Sequence, residues 1–324
     1  MPTGLLIPGD YDDVGGFAER AESLGYDCLW TPELWGRDAF VALTMAAHRT
    51  ERIDLGTAIV NVYGRSPATL AQAAATLADV ADGRVRLGLG TSTAKVVEDL
   101  HGMAFDNPPR RLHETIELTK AFLGGDGRVN YEGKLFSVAD FRSLDREIPV
   151  YAAALGASNR RATGRVADGW LPHNVPFDQL PEAFETIAET ARQAGRDPDD
   201  ITVAPYVPCA VGDDTDEAYA AIRNHLAYYV GSSDGYENAV AQSFPDLAPR
   251  IADDWREGNR DAAREAVSDE MIAQLAICGS PDDARAQFEE LAGRDVVDEV
   301  IVSIPIGASD TLRDGTVAEL APNR

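Results

Sequence analysis

Lysine is almost missing from this 324-residue chain. Lys95, Lys120 and Lys134 are all there is, so 26 of the 29 basic side chains are arginine. Basic residues are in turn outnumbered by 54 acidic ones, and the formal net charge is −25. The acid excess is spread along the chain rather than gathered into a block, which excludes an acidic tail, and its sign excludes a nucleic-acid surface. A single-sign charge of this size repels itself at low salt and is screened to a Debye length of about 3 Å at 1 M. The composition therefore predicts a solvated acidic shell of the salt-in halophile kind, more stable in molar than in millimolar salt. Cysteine is limited to Cys28, Cys209 and Cys278. Their number and spacing suit reduced, buried thiols, not a disulfide framework or a zinc site. No apolar run approaches the roughly 18 residues of a membrane span, and no basic flank with an apolar stretch opens the chain. We read a cytoplasmic protein without membrane contact.

Several chemistries are missing as well. There is no P-loop, no Gly-x-Gly-x-x-Gly after a strand, no His-Glu-x-x-His and no Gly-x-Ser-x-Gly elbow. The five histidines (His48, His101, His113, His173 and His225) lack ligand spacing, and no metal site is expected. His48 and His225 fall on helices, where a structural role is expected. His173, just past a strand, is the one placed near a functional face.

What is present is an alternation of strand and helix patterns from end to end, with 44% hydrophobic residues to fill a core. That alternation predicts a parallel sheet with crossover helices, an α/β fold. At this length one domain over 1–324 suffices, a (β/α)8 TIM barrel with a helical insertion after strand seven. The strands are expected at Gly4–Pro8, Asp27–Trp30, Ile53–Asn61, Val85–Gly90, Pro149–Ala154, Gly169–Pro172, Ile201–Val211 and Glu299–Ile304. A helix is expected over Asp12–Gly25, another starts at Asp38 as its cap, and a third at Pro67 as a first-turn proline. An outward hairpin is expected over 128–141, and 228–270 is the insertion, polar and aromatic enough to act as a lid.

Three loops then converge on one face. The strand ending Ala58-Ile59-Val60-Asn61 turns at Tyr63-Gly64, and its backbone suits a planar ring with Asn61 as a hydrogen-bonding amide. The same residues also suit a buried strand with a capping asparagine. After strand four, Gly90-Thr91-Ser92-Thr93 offers small side chains and hydroxyls, which bind carbonyls or phosphate, or cap a helix. After strand five, Leu155-Gly156-Ala157-Ser158-Asn159 opens a helix whose free N–H groups suit a phosphate. Arg160, Arg161 and Arg165 follow, either adding charge there or pairing with surface carboxylates.

The chain resembles the luciferase-like monooxygenase superfamily, in the branch of F420-dependent oxidoreductases related to methylenetetrahydromethanopterin reductase. The resemblance rests on Ala21-Glu-Ser-Leu-Gly-Tyr-Asp27, Trp35-Gly-Arg-Asp-Ala-Phe40, Leu55-Gly-Thr-Ala-Ile-Val-Asn61, Arg65-Ser-Pro67, Gly83-Arg-Val-Arg-Leu-Gly-Leu-Gly90, His101-Gly102 and Val166-Ala-Asp-Gly-Trp-Leu-Pro172. It implies coenzyme F420, or alternatively FMN, across the C-terminal face, with a non-prolyl cis peptide at Ala58–Ile59. Asn61 matches a ring contact, Thr91 and Ser92 match strand-four contacts, Leu155–Asn159 match the phosphate loop and Glu33 matches an acidic cofactor contact. The departures are specific. Leu34 stands where related sugar-phosphate dehydrogenases carry a histidine, Thr93 where they carry a glutamate, and Leu6 where the reductase carries an acid. General-acid duty is left to Glu33, Tyr63 or His173, or to solvent. The expectation is hydride transfer between F420 and a small organic molecule, in a homodimer. The alternatives are an FMN-dependent monooxygenase and a non-catalytic cofactor-binding relative.

Overall fold

The computed structural model describes residues 1–9, 11–125 and 127–323. Its first half repeats one unit of parallel strand and returning helix. Strand β1 (Thr3–Leu6) leads to α1 (Val14–Ser23), and β2 (Cys28–Thr31) leads to α2 (Ala39–Ala47). Asp13 caps α1 within the expected helical span, and Asp38 caps α2 as expected by accepting from the Val41 N–H at 3.0 Å. Stave three comes in two pieces, β3 (Asp54–Thr57) and β4 (Val60–Asn61), within the single span Ile53–Asn61 expected for it. Helix α3 (Pro67–Val80) and β5 (Val85–Gly90) follow with the boundaries the sequence predicts.

After α4 (Pro108–Leu123) the chain leaves the sheet as an antiparallel hairpin, β6 (Arg128–Glu132) and β7 (Ser137–Arg142). It returns as β8 (Val150–Ala153), α5 (Ala157–Val166), β9 (Gly169–Trp170) and α6 (Leu180–Gln193). Stave seven is also divided, into β10 (Thr202–Val203) and β11 (Tyr206–Val211). The interruption is Ala204-Pro205, and proline has no N–H to give the ladder. Five helices run between β11 and the next strand: α7 (Thr215–Ser232), α8 (Asp234–Ala241), α9 (Leu247–Arg256), α10 (Arg260–Glu265) and α11 (Asp269–Leu275). Residues 228–270 lie within them. The short β12 (Ile277–Gly279) and α12 (Pro281–Ala292) come next, then β13 (Val300–Ser303) and α13 (Asp310–Glu319).

The long sheet is parallel and curled. Its strands run in the order β9, β8, β5, β3, β2, β1, β13, β11, with β4 added on β5 and β12 on β11. Segment β10 pairs with β9, while β11 pairs with β13. Both ends of the strand order therefore meet at one stretch of chain, joined through Ala204-Pro205. The large core, including Leu5, Leu29, Leu55 and Leu87, lies between the sheet and its helices. A second apolar cluster built on α7, α9 and α11 covers one end, and a small third cluster, Cys28, Trp30, Ala58, Tyr151, Leu171, Ala204 and Ile301, fills the interior. All three cysteines are free and buried. Among the described residues no helix is long and apolar enough to cross a membrane.

Stave three breaks for a reason visible in its neighbour. A Cβ on Gly88 would sit 1.9 Å from the Thr57 carbonyl oxygen, so the backbones touch here in a way only glycine permits. The Thr57 hydroxyl takes over the ladder, donating to the Gly88 carbonyl at 2.8 Å and accepting from its N–H at 2.9 Å. Two residues later β4 resumes pairing with β5 at Leu89 and Gly90.

Candidate active site

Between those two segments the Ala58–Ile59 peptide is cis. The bend it makes is held on both sides. The Ala58 N–H donates to the Thr31 carbonyl at 2.8 Å, and the Ile59 carbonyl accepts from the Glu33 N–H at 3.3 Å. Beyond the bend, the Asn61 Oδ1 accepts from the N–H groups of Tyr63 and Gly64 at 3.0 and 2.6 Å, and its Nδ2 lies 3.0 Å from His101 Nε2. The amide expected to meet a ligand is thus engaged in fixing the turn, the capping role its residue type also suits. His101 was not among the predicted site residues. Its signal was the His101-Gly102 pair, but nothing in the sequence says that it reaches Asn61, 40 positions away.

Glu33 is a clasp. Its carboxylate receives both Arg65 guanidinium arms, at 2.5 and 2.9 Å, and also the Ala39 N–H at the start of α2, at 2.9 Å. Arg65 reaches Asp38 as well, at 2.5 Å. Burial opposes charge on Asp38, but the Val41 N–H and Arg65 outweigh it and hold its pKa below the ordinary carboxylate range. Paired charges in fork geometry, with side chains 10% and 18% exposed for Glu33 and Arg65, tie the loop after β2 to the turn after β4.

Tyr63 is also anchored. Its hydroxyl donates to the Asp106 carbonyl at 3.0 Å, its ring lies 5.5 Å from that of Phe105, and the Arg111 guanidinium sits 4.7 Å above it. Burial raises its pKa despite Arg111.

The ends of staves three, four and five meet at Gly90. A Cβ there would stand 2.9 Å from Ile59 Cδ1 and 3.3 Å from Ala153 Cβ, so bend, glycine and stave five form one floor. Thr91 is buried, and Ser92 takes a left-handed φ of 57°, a conformation a serine adopts only where its surroundings impose it. On the other side of the floor, the Ala154 carbonyl accepts from Trp170 Nε1 at 2.9 Å and fixes where Leu155 emerges. Gly156 precedes α5 without a side-chain cap, and Gly156, Ala157 and Ser158 are exposed. The first turn of α5 thus starts at exposed residues with no side chain capping its N–H groups.

Across the mouth, His173 lies in a cage of rings. It stacks on Tyr206 at 4.1 Å and 9° and meets Tyr229, Tyr236 and His225 edge-on at 4.6, 5.7 and 6.1 Å. Hydrogen bonds assign both tautomers. His173 Nδ1 lies 3.0 Å from the Tyr206 carbonyl, which only accepts, so Nδ1 carries the proton and Nε2 is a bare acceptor. His225 Nδ1 accepts from the Ile306 N–H at 3.1 Å, so its Nε2 is a donor. Both Nε2 atoms, and both ends of the Asn174 amide, are buried with no partner among the described residues. Burial lowers the His173 pKa to about 4 and that of His225 well below the usual value.

Both imidazoles are neutral in the folded state at pH 7, while the unfolded chain protonates them below about 6.5. The unfolded state then binds more protons, so stability falls as pH drops from 6.5 toward 4, by up to about 1.4 kcal/mol per pH unit for each ring. Urea unfolding of His173→Gln between pH 6.5 and 5 should show a slope shallower than the parent by up to that amount. Identical slopes would show that His173 is not held neutral.

No group of three or more metal-binding side chains occurs among the described residues. What the site presents is a floor of Ile59, Gly90 and Ala153, hydroxyls, an uncapped helix start and a cluster of aromatic and neutral polar side chains. A model of the family described as luciferase-like monooxygenase matches residues 2–298.

The chain belongs to that family.

Among curated relatives, a 5,10-methylenetetrahydromethanopterin reductase of Methanolobus tindarius is 29% identical over 91% of this chain and 90% of its own. A putative coenzyme F420-dependent oxidoreductase of Mycobacterium tuberculosis is 27% identical over the same shares. Among solved structures, the coenzyme F420-dependent tetrahydromethanopterin reductase of Methanopyrus kandleri superposes with a TM-score of 0.83 at 26% identity, over 99% of this chain and 97% of that one. The family carries its TIM-barrel-like architecture and oxidoreductase chemistry to this chain.

Proposed function

We propose that this chain is a coenzyme F420-dependent oxidoreductase that transfers hydride between the deazaflavin and a small organic substrate. The observation that carries this reading is the close packing of Ile59 and Ala153 around Gly90, which makes a floor beside an uncapped helix terminus. A ring system with a phosphate-bearing tail fits that pair of features. Ala58, Ile59 and Val60 would support the ring, with Asn61 bracing them. Thr91 and Ser92 would line its edge, and Leu155, Gly156, Ala157 and Ser158 would hold the phosphate. Glu33 acts as the clasp behind the bend rather than as a free carboxylate. The coenzyme, when bound, would supply the hydride, and the protein supplies position and exclusion of water.

Each of the three residues considered as acids is already engaged by a neighbour. Glu33 is paired with Arg65, the Tyr63 proton goes to the Asp106 carbonyl, and His173 is neutral with Nε2 bare. We read His173 Nε2 and His225 Nε2–H as an acceptor and a donor for an uncharged polar substrate. The homodimer stays part of this reading, supported by exposed Val41 and Met45 on the outer face of α2.

The family's description favours a second reading, an FMN-dependent monooxygenase. Quenching of the four tryptophans by F420 and by FMN, each titrated separately, decides between them. Micromolar binding of F420 with FMN at least tenfold weaker is expected. FMN binding without F420 binding would overturn the proposal.

A further inference from the structure

A cavity of about 600 Å³ opens between the start of α4 and one side of α5. Asn107, Arg110 and His113 line it from one side, and Ser158, Arg161 and Arg165 from the other. Spacings of three and four residues place each set on a single helix face. Arginine is normally neutralised in this chain. Arg20, Arg65, Arg86, Arg146, Arg196, Arg256 and Arg294 all lie within 4.0 Å of a carboxylate. Arg161 and Arg165 have no such partner among the described residues, and Arg161 reaches only the Ser158 hydroxyl, at 3.2 Å. The carboxylate nearest Arg110 is Glu114 at 3.8 Å, which already accepts from the N–H groups of Lys134, Leu135 and Phe136. His113 adds a buried Nδ1 with no partner. Three guanidiniums facing one cleft repel one another, and in a chain with 54 acidic residues two of them, Arg161 and Arg165, have no carboxylate within 4.0 Å among the described residues. The charge is available for a ligand with several negative groups.

We propose that this cleft holds the glutamyl tail that coenzyme F420 carries beyond its phosphate, with the tail's carboxylates on Arg110, Arg161 and Arg165. The inference rests on the reading above, which sets the phosphate at Gly156–Ser158, because Ser158 also lines the cleft and the two sites are continuous. It adds a source of selectivity, since FMN ends at its phosphate and gains nothing from charges further along.

The test uses the full chain and its Arg161→Gln/Arg165→Gln variant. Both positions are exposed, and an unchanged Tm confirms the variant's fold. Three probes are titrated by fluorescence: F420 with several glutamates, deazaflavin 5′-phosphate, and the deazaflavin riboside without phosphate. The variant should bind the complete coenzyme at least tenfold more weakly than the parent, and both shorter probes within twofold. Raising salt should narrow the difference for the complete coenzyme. Equal losses with deazaflavin 5′-phosphate would assign the arginines to phosphate, and no loss with any probe would leave the cleft without this role. Either result overturns the tail site while the cofactor assignment stands. Failure of all three probes to bind the parent would overturn both.

Discussion

Replacing Arg86 with methionine lowers the unfolding free energy by about 3–5 kcal/mol, the range for a buried charge stripped of its partner. Arg86 enters the interior from the start of β5 and donates to Glu299 at 2.6 Å and to Asp54 at 2.8 and 3.0 Å. Glu299 is 1% exposed, and its other oxygen accepts from Trp30 Nε1 at 3.0 Å. Burial keeps the Glu299 pKa above its ordinary value even with Arg86 and Trp30 acting against it, so the guanidinium only partly offsets the cost of the buried charge. With methionine in place, that cost is unopposed at pH 7 and is relieved only when Glu299 takes a proton. Because the folded pKa lies above the unfolded one, the variant regains stability as pH falls and loses it as pH rises. Urea unfolding should therefore show a larger deficit at pH 8 than at pH 5. The double variant Arg86→Met/Glu299→Gln should recover a good part of the loss, since glutamine removes the charge and still accepts from Trp30. A deficit under about 1 kcal/mol at pH 8, typical of an exposed pair, would show that the cluster is solvated rather than buried.

This cluster lies at the N-terminal ends of the staves, opposite the bend, and the division matches the usual one in such folds, stability below and chemistry above. Local signals made much of the fold legible. Ser66-Pro67 followed by alternating alanines and leucines marks α3, and Val85–Gly90, bounded by Gly83-Arg84, marks β5. The unread features depend on partners far along the chain. The break in stave three needs Thr57 to meet Gly88, 31 positions away, a contact that the residues from Ile53 to Val60 do not show by themselves. β12 has three residues, too few for a period-two pattern to register. At the site, the small residues of Leu155–Asn159 announce an uncapped helix start because that is a local property. Glu33 reads only as an acid in a loop, since its use depends on Arg65, 32 positions later. His173 and His225, separated by 52 residues, are brought edge-on to one another by α7, and the sequence shows only two histidines in apolar surroundings.

The Glu33–Arg65 clasp is where that non-local geometry should matter most for function. Arg65→Met removes the fork that ties the loop after β2 to the turn after β4, and leaves Glu33 with the Ala39 N–H alone. Glu33 also supplies, through its backbone, the hydrogen bond to the Ile59 carbonyl. A carboxylate free to turn toward water loosens that backbone, and with it the floor on which a ring would lie. Coenzyme binding should weaken at least tenfold, about 1.4 kcal/mol. Arg65→Lys should fall in between, because an ammonium keeps the charge but cannot serve Glu33 with two parallel bonds and Asp38 at once. The loss should appear in F420 affinity with Tm moving only a few degrees, because the pair sits at the rim of the sheet and not in its interior. If affinity holds within twofold while Tm drops, the clasp is a stability device and the bend is rigid without it. If both variants bind as the parent does, the bend is held by Thr31 and Gly88 alone.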